Sequence, residues 1–338
     1  MGPGAISLRR VGHERATRGL PTGWAAVNPL LVPRYWPSWL AVALVRLIGL
    51  LPFPLLWLSG MGLGRLAGRL ARERRQVALT NLRLCLPELT DRERQTLASR
   101  HFGYLGVAAL TQGLVWGASR RRLGRLVRIR HRERFDELQA QGRNLILMVP
   151  HFIGLELGGA AFTALVHPGM YMYQRIRDPV IDAQMRASRM RFGALSVERQ
   201  DDLRALVREI RRGIPFFYLP DQDAGPRRGI FAPFCGVPAA TVPMLGRFAR
   251  LAEAVVLPLY ARYLPWGRGL ELTFGPPLPD FPSGDQALDT ARMNQVIEAE
   301  IRVMPAQYFW VHRRFKTRPP GEPPLYPPSR RRARRSTA

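Results

Sequence analysis

Asn144–Val166 reads NLILMVPHFIGLELGGAAFTALV, and the order of residue types within it sets the architecture. Asn144–Pro150 is a short apolar run, of the length that makes a strand buried on both faces, and it ends on a proline. Leu155–Val166 follows at once, small and apolar without a breaker, and is expected to be a helix. A buried strand passing directly into a helix is the repeating unit of an α/β layer.

The alternation continues on either side of that stretch. Tyr171–Gln174, Pro215–Leu219, Ala254–Arg262 and Leu270–Phe274 read as strands, and Ile181–Arg191, Leu203–Arg212 and Ala240–Ala252 as helices. Asp289 or Thr290 is expected to cap a last helix whose Met293, Ile297, Ile301 and Met304 share one face. Upstream, Gln76–Leu86 is stopped by Pro87, and Thr90 with Glu93 makes a capping-box pattern that starts another helix. The fold class is therefore α/β, a layered mixed sheet flanked by helices over about residues 125–318.

Leu40–Leu63 (LAVALVRLIGLLPFPLLWLSGMGL) carries one charge, Arg46, and is long enough for a spanning helix, which needs roughly 20 apolar residues. Arg46 would lie in hydrocarbon unless it snorkels, and Pro52 and Pro54 would kink the helix. The stretch reads as an N-terminal hydrophobic membrane anchor, either a span or an interfacial hairpin; a buried hairpin of a soluble domain is the alternative. Arg65, Arg69, Arg72, Arg74 and Arg75 place the chain beyond the anchor on the cytoplasmic side. The expected organisation is a flexible segment 1–35, an anchor with its basic flank 36–75, the main domain 76–318, and a disordered Pro/Arg-rich tail 319–338.

The formal net charge is +26, and Lys316 is the only lysine. Such a balance points to an anionic partner: nucleic acid, an anionic membrane surface or a phosphorylated substrate. No nucleic-acid-binding motif accompanies the charge, which argues against a non-catalytic nucleic-acid-binding protein. Cys85 and Cys235 stand in unrelated stretches with no CxxC or Cys/His cluster, so neither zinc nor a disulfide framework is expected, and the compartment reads as reducing.

His151 ends the NLILMVP run and Glu156 follows five positions later. On one helix that spacing separates two side chains by about 140°. They meet only if His151 lies in the turn before the helix and Glu156 in its first turns, with Gly154 supplying backbone freedom. A carboxylate holding one imidazole nitrogen leaves the other as a general base. That is two-thirds of a serine-hydrolase triad without the serine, so the nucleophile would be a substrate hydroxyl. Taken alone, H-x4-E is more often the pattern of a structural histidine beside an unrelated glutamate. Asp221 and Asp223 follow the apolar PFFYLP run at a strand end; alone they read as a metal site, as carboxylates positioning the loop, or as a solvated turn. Arg227, Arg228, Arg313, Arg314, Lys316 and Arg318 form two basic clusters suited to phosphates, carboxylates, an acidic protein or lipid headgroups.

Four stretches taken together are more specific. NLRLCLPEL (Asn81–Leu89), HFIGLELGG after the apolar run, DQDAGPRRGIFAPFCGVPAATV (Asp221–Val242) and YFWVHRRFKTRPPG (Tyr308–Gly321) resemble the late acyltransferases of lipid A biosynthesis, over about Trp36–Tyr326. The resemblance implies a glycerolipid acyltransferase-like fold and a His151–Glu156 pair that deprotonates an acceptor hydroxyl. It implies an acyl carrier protein thioester as donor and a phosphorylated glycolipid, usually bearing Kdo sugars, as acceptor. It also implies the cytoplasmic face of an anionic inner membrane, no metal and no organic cofactor. Asp221, Asp223 and the two basic clusters would then bind or position substrate. In such enzymes Tyr-Arg-Pro often follows the second strand; here Gln174 takes the arginine's place and Arg175 comes one step later. Arg175 is the candidate replacement, although strand alternation would turn it to the other face. Transfer to a lysophospholipid or another glycolipid is the alternative acceptor reading.

Overall fold

The computed structural model describes Leu30, residues 32–198 and residues 203–327. Two helices lead the chain, α1 (Trp36–Ile48) and α2 (Phe53–Leu70). Then come α3 (Arg72–Cys85), α4 (Asp91–Gly117), α5 (Arg120–Leu126), β1 (Val127–Arg130), α6 (Glu133–Ala140), β2 (Asn144–Met148) and α7 (Leu155–Leu165). The alternation proceeds through β3 (Met170–Tyr173), α8 (Pro179–Met190), β4 (Leu195–Glu198), α9 (Leu203–Arg211) and β5 (Phe216–Tyr218). A hairpin of β6 (Ile230–Phe234) and β7 (Val237–Thr241) precedes α10 (Leu245–Ala252), β8 (Ala254–Tyr263), β9 (Leu270–Phe274) and α11 (Gln286–Val303).

Seven strands form one sheet in the order β1-β9-β8-β2-β5-β3-β4. Only the β8–β9 pair is antiparallel, so β8, β2, β5, β3 and β4 all run the same way. β2 lies between β5 and β8 and is buried along its length, as its unbroken apolar run requires. Its side chains alternate: Leu145 and Leu147 join a core that includes α7, α1 and α2, whereas Ile146 and Met148 join one that includes α9, α10 and α11.

Several readings are corrected. Ala240–Ala252 is not one helix: its first residues finish β7 and the helix starts at Leu245. Asp285 rather than Asp289 or Thr290 caps α11, accepting from Ala287 N–H and Leu288 N–H at 2.8 and 3.1 Å. The capping box on α4 is present as the pattern predicts. The supposed single span is broken at Gly49–Pro52, and no helix among the described residues is long and apolar enough to cross a membrane. Arg46, though exposed, donates to Gln184 Oε1 on α8 at 2.7 Å. α2 lies so close on α4 that a Cβ on Gly64 would stand 2.1 Å from the carbonyl oxygen of Phe102. The outer side of the α1–α2 pair still carries exposed leucines, among them Leu40, Leu44 and Leu47 on α1 and Leu58, Leu66 and Leu70 on α2.

Residues 319–327 are not a disordered tail, since Tyr326 is buried and its hydroxyl bonds to Asn81 Oδ1 at 2.5 Å. The remaining tail and nearly all of the flexible segment 1–35 lie outside the described residues; within that segment, Pro33–Tyr35 forms a 3-10 turn. The two cysteines are not in unrelated surroundings: Cys85 and Cys235 hydrogen-bond to one another, and burial pushes the Cys85 thiol well up.

Candidate active site

The parallel pairing of β2 with β5 sets Met148 beside Tyr218, so the loops leaving both strands emerge side by side. His151 stands on one loop and Asp221 on the other. The Asp221 side chain is fully buried and both its oxygens are spent on His151: Oδ1 lies 2.7 Å from Nδ1, and Oδ2 accepts the His151 backbone N–H at 2.9 Å. The carboxylate therefore fixes the ring and the backbone that carries it. Tyr308 makes a further hydrogen bond with Asp221. The His151 side chain keeps 20% of its surface exposed, and its Nε2 makes no hydrogen bond among the described residues.

Electrostatics follow the geometry. Burial works against an imidazolium at His151, but the charge and hydrogen bond of Asp221, with a further contribution from Glu156, outweigh it and raise the pKa. Burial likewise works against the Asp221 carboxylate, and the neighbouring imidazolium with its hydrogen bonds brings that pKa below the ordinary value. His312 behaves oppositely. Burial and the His151 charge push it down to about 4, and its neutral Nε2 accepts the backbone N–H of Asp223 at 3.0 Å.

His151 lies in the turn and Glu156 in the first turn of α7, as the spacing requires, but they are not hydrogen-bonded to each other. The expected orienter is displaced: Glu156 Oε1 is held by Arg189 of α8 at 2.5 Å, and the Arg189 guanidinium lies over Tyr171, 5.2 Å from the ring centroid. Gly154 does not use a glycine-only conformation, since its φ is −74°. What excludes a side chain there is the sheet itself, with Ala261 O only 2.7 Å from where a Cβ would be. Alongside Glu156 and Arg189 opens an apolar cleft lined by Val115, Leu155, Ala160, Tyr171, Phe217 and Leu219.

The remaining candidates divide. Asp223 ties down the C-terminal loop, accepting Thr317 N–H and Thr317 Oγ1 at 3.0 Å each. Arg314 is packed inside the protein: it is 2% exposed, donates to Ala240 O and Thr241 Oγ1 at 2.8 and 2.5 Å, and lies against Phe234. Arg313 pairs with Glu73 at 3.0 Å, and Arg318 donates to Pro238 O at 2.9 Å and pairs with Glu322. Arg227, Arg228 and Lys316 are exposed. Arg175 is exposed in the loop after β3, which ends at Tyr173, so strand alternation does not govern it. No group of three or more His, Cys, Asp or Glu side chains among the described residues is arranged to hold a metal.

Two residues of the site carry no local signal of their role. Arg189 sits in an unremarkable amphipathic helix and reaches Glu156 across 33 positions of chain. Asn81, within NLRLCLPEL, donates to Trp310 O and His312 O at 2.7 and 2.8 Å and so pins the loop that backs His151.

The chain has recognisable sequence relatives. A family model for bacterial lipid A biosynthesis acyltransferases matches residues 27–317. The lipid A biosynthesis lauroyltransferase of Escherichia coli K12 is 36% identical over 298 residues, covering 88% of this chain and 97% of that protein. The palmitoleoyltransferase and myristoyltransferase of the same strain are 32% and 31% identical, covering 88% and 86% of this chain and 96% and 90% of theirs. A buried carboxylate gripping a solvent-facing histidine beside an apolar cleft thus sits within a chain that belongs, over most of its length, to the bacterial lipid A biosynthesis acyltransferases.

Proposed function

We propose that the enzyme moves an acyl chain from a thioester on acyl carrier protein to a 3-hydroxyacyl hydroxyl of a phosphorylated lipid A precursor, with His151 as general base. The observation that carries this reading is the His151–Asp221 contact: a buried carboxylate holds Nδ1 at 2.7 Å and leaves Nε2 facing outward. In that tautomer Nε2 takes the proton of the acceptor hydroxyl as its oxygen attacks the thioester carbonyl. The tetrahedral intermediate then expels the thiolate, and the imidazolium returns the proton to it. The acceptor oxygen gains an acyl group, the donor leaves as a thiol, and the histidine ends neutral.

Asp221 acts as the positioning residue. The Glu156–Arg189 pair stands at the apolar cleft, where its guanidinium and carboxylate would orient the polar end of a substrate whose acyl chain lies against Leu155, Ala160 and Phe217. The exposed leucine stripes of α1 and α2 suit an interfacial seat on an anionic bilayer, with Arg65, Arg69 and Arg72 at its edge. Such a seat brings the site to a lipid acceptor without a spanning helix.

Two experiments test this. Lipid A from a deletion strain, examined by mass spectrometry, should lack one secondary acyl chain, restored by the wild-type gene and not by His151→Ala; an unchanged lipid A rejects the acceptor. Leu40→Ser/Leu44→Ser/Leu47→Ser should weaken adsorption to vesicles containing phosphatidylglycerol about tenfold or more, since each exposed leucine contributes on the order of 1 kcal/mol of interfacial burial. Undiminished adsorption rejects the interfacial seat.

A further inference from the structure

We propose that the groove between α9 and α10 docks an acidic, water-soluble protein, namely the carrier that delivers the acyl thioester. The proposal rests on the reading of the donor as carrier-borne. α9 turns Leu206 and Ile210 into the core and presents Arg208 and Arg211 outward, with Arg212 exposed just after it, while α10 buries Phe248 and Ala249 and presents Arg247 and Arg250. Between these cations lies an apolar floor of Leu203, Val207 and Leu251, with Leu251 40% exposed.

Carboxylates among the described residues offset only part of this charge. Glu253 pairs with Arg211 at 2.9 Å between exposed groups, and the partly buried Glu209 is shared by Arg212 at 2.8 Å and Arg208 at 3.7 Å; water and salt weaken these attractions. Arg247 and Arg250 have no ion pair among the described residues. A field of guanidinium groups around a short apolar strip suits an acidic amphipathic helix, which offers carboxylates at the rim and aliphatic side chains at the centre.

Position decides between a bilayer and a soluble partner. The groove sits on the side of the sheet toward which Ile146 and Met148 point, whereas α1 and α2 lie on the side of Leu145 and Leu147. A membrane met by the leucine stripes therefore leaves the arginine groove turned toward water. α9 and α10 pack directly on β2 and β8, so a protein held there lies over the strand whose following loop carries His151.

The test uses the full chain in detergent micelles with lauroyl-loaded acyl carrier protein as the probe. In Arg208→Glu/Arg247→Glu, the Kd for the loaded carrier and the KM for it as donor should rise about tenfold or more. The rate at saturating donor, the KM for the lipid acceptor and adsorption to phosphatidylglycerol vesicles should not change. Arg208→Lys/Arg247→Lys, which keeps the charge, should stay near wild type. Unchanged carrier affinity in the charge-reversed variant overturns the proposal, as does lost vesicle adsorption with carrier affinity intact, which would assign the groove to the bilayer. If the wild-type enzyme binds no carrier and accepts the acyl chain equally well from coenzyme A, the donor reading itself fails, a result separable from a failure of the groove alone.

Discussion

Two carboxylates stand near His151, and the molecule treats them oppositely. Asp221, in the loop after β5, is wholly buried and gives both oxygens to the histidine. Glu156, in the first turn of α7, keeps 38% of its side chain exposed and gives an oxygen to Arg189. Sequence spacing favours the near one, five positions away; the fold chooses the far one, 70 positions away, because parallel strands bring their ends together. Orienting a base calls for a rigid, dry partner, whereas a half-exposed carboxylate tied to a guanidinium suits contact with something that comes and goes.

The largest effect is expected at the histidine both carboxylates face. His151→Ala should lower kcat/KM about 10³-fold or more with folding and carrier affinity preserved, read by steady-state acyl transfer; retained activity would remove the base from the mechanism. Asp221→Asn should come next, at about 10² to 10³, because a neutral amide no longer enforces the tautomer that frees Nε2. Glu156→Gln should cost less, about 10- to 10²-fold, with much of the loss in substrate KM, and Arg189→Met should resemble it. A loss equal to that of Asp221→Asn would overturn the division of roles.

The pH profile separates the two carboxylates again, by a smaller margin. His151 must be neutral to accept a proton, and its raised pKa means that activity falls as pH drops through a value above the ordinary imidazole range. Asp221→Asn removes the larger of the two carboxylate contributions and should move that acid limb down. Glu156→Gln should move it the same way by less. His312, pushed down to about 4, stays neutral across this range and should contribute no limb.

Much of this is legible in the sequence, and the gaps have physical reasons. The buried run of β2 and the helix after it are readable because a strand covered on both faces must be continuously apolar. The turn holding His151 is reached by assuming a pairing with Glu156; its placement is right, although the pairing is not made. The Asp221–His151 contact is not readable, since a contact made through strand order leaves no trace in local spacing. Arg314 looks like its neighbours in the HRRFKTR run, and only packing separates a guanidinium stacked on Phe234 under Ala240 and Thr241 from those facing solvent. β1 escapes a periodicity reading because four alternating residues at a sheet edge carry little signal, and β6 and β7 do so because a proline lies within each five-residue span.

The pin between Asn81 and the C-terminal loop also bears on the life of the chain before it is an enzyme. Asn81 is among the early residues to leave the ribosome, and its partners Trp310, His312 and Tyr326 are among the late ones. The loop they hold supplies the Phe309 N–H that binds His151 O at 3.0 Å and the Tyr308 contact to Asp221. Trp310, Phe315 and Tyr326 are also buried in the core, so this late segment completes the packing of the layers and the wall of the His151 turn together. A chain cut before residue 308 would therefore lose the wall of the His151 turn and part of the core together.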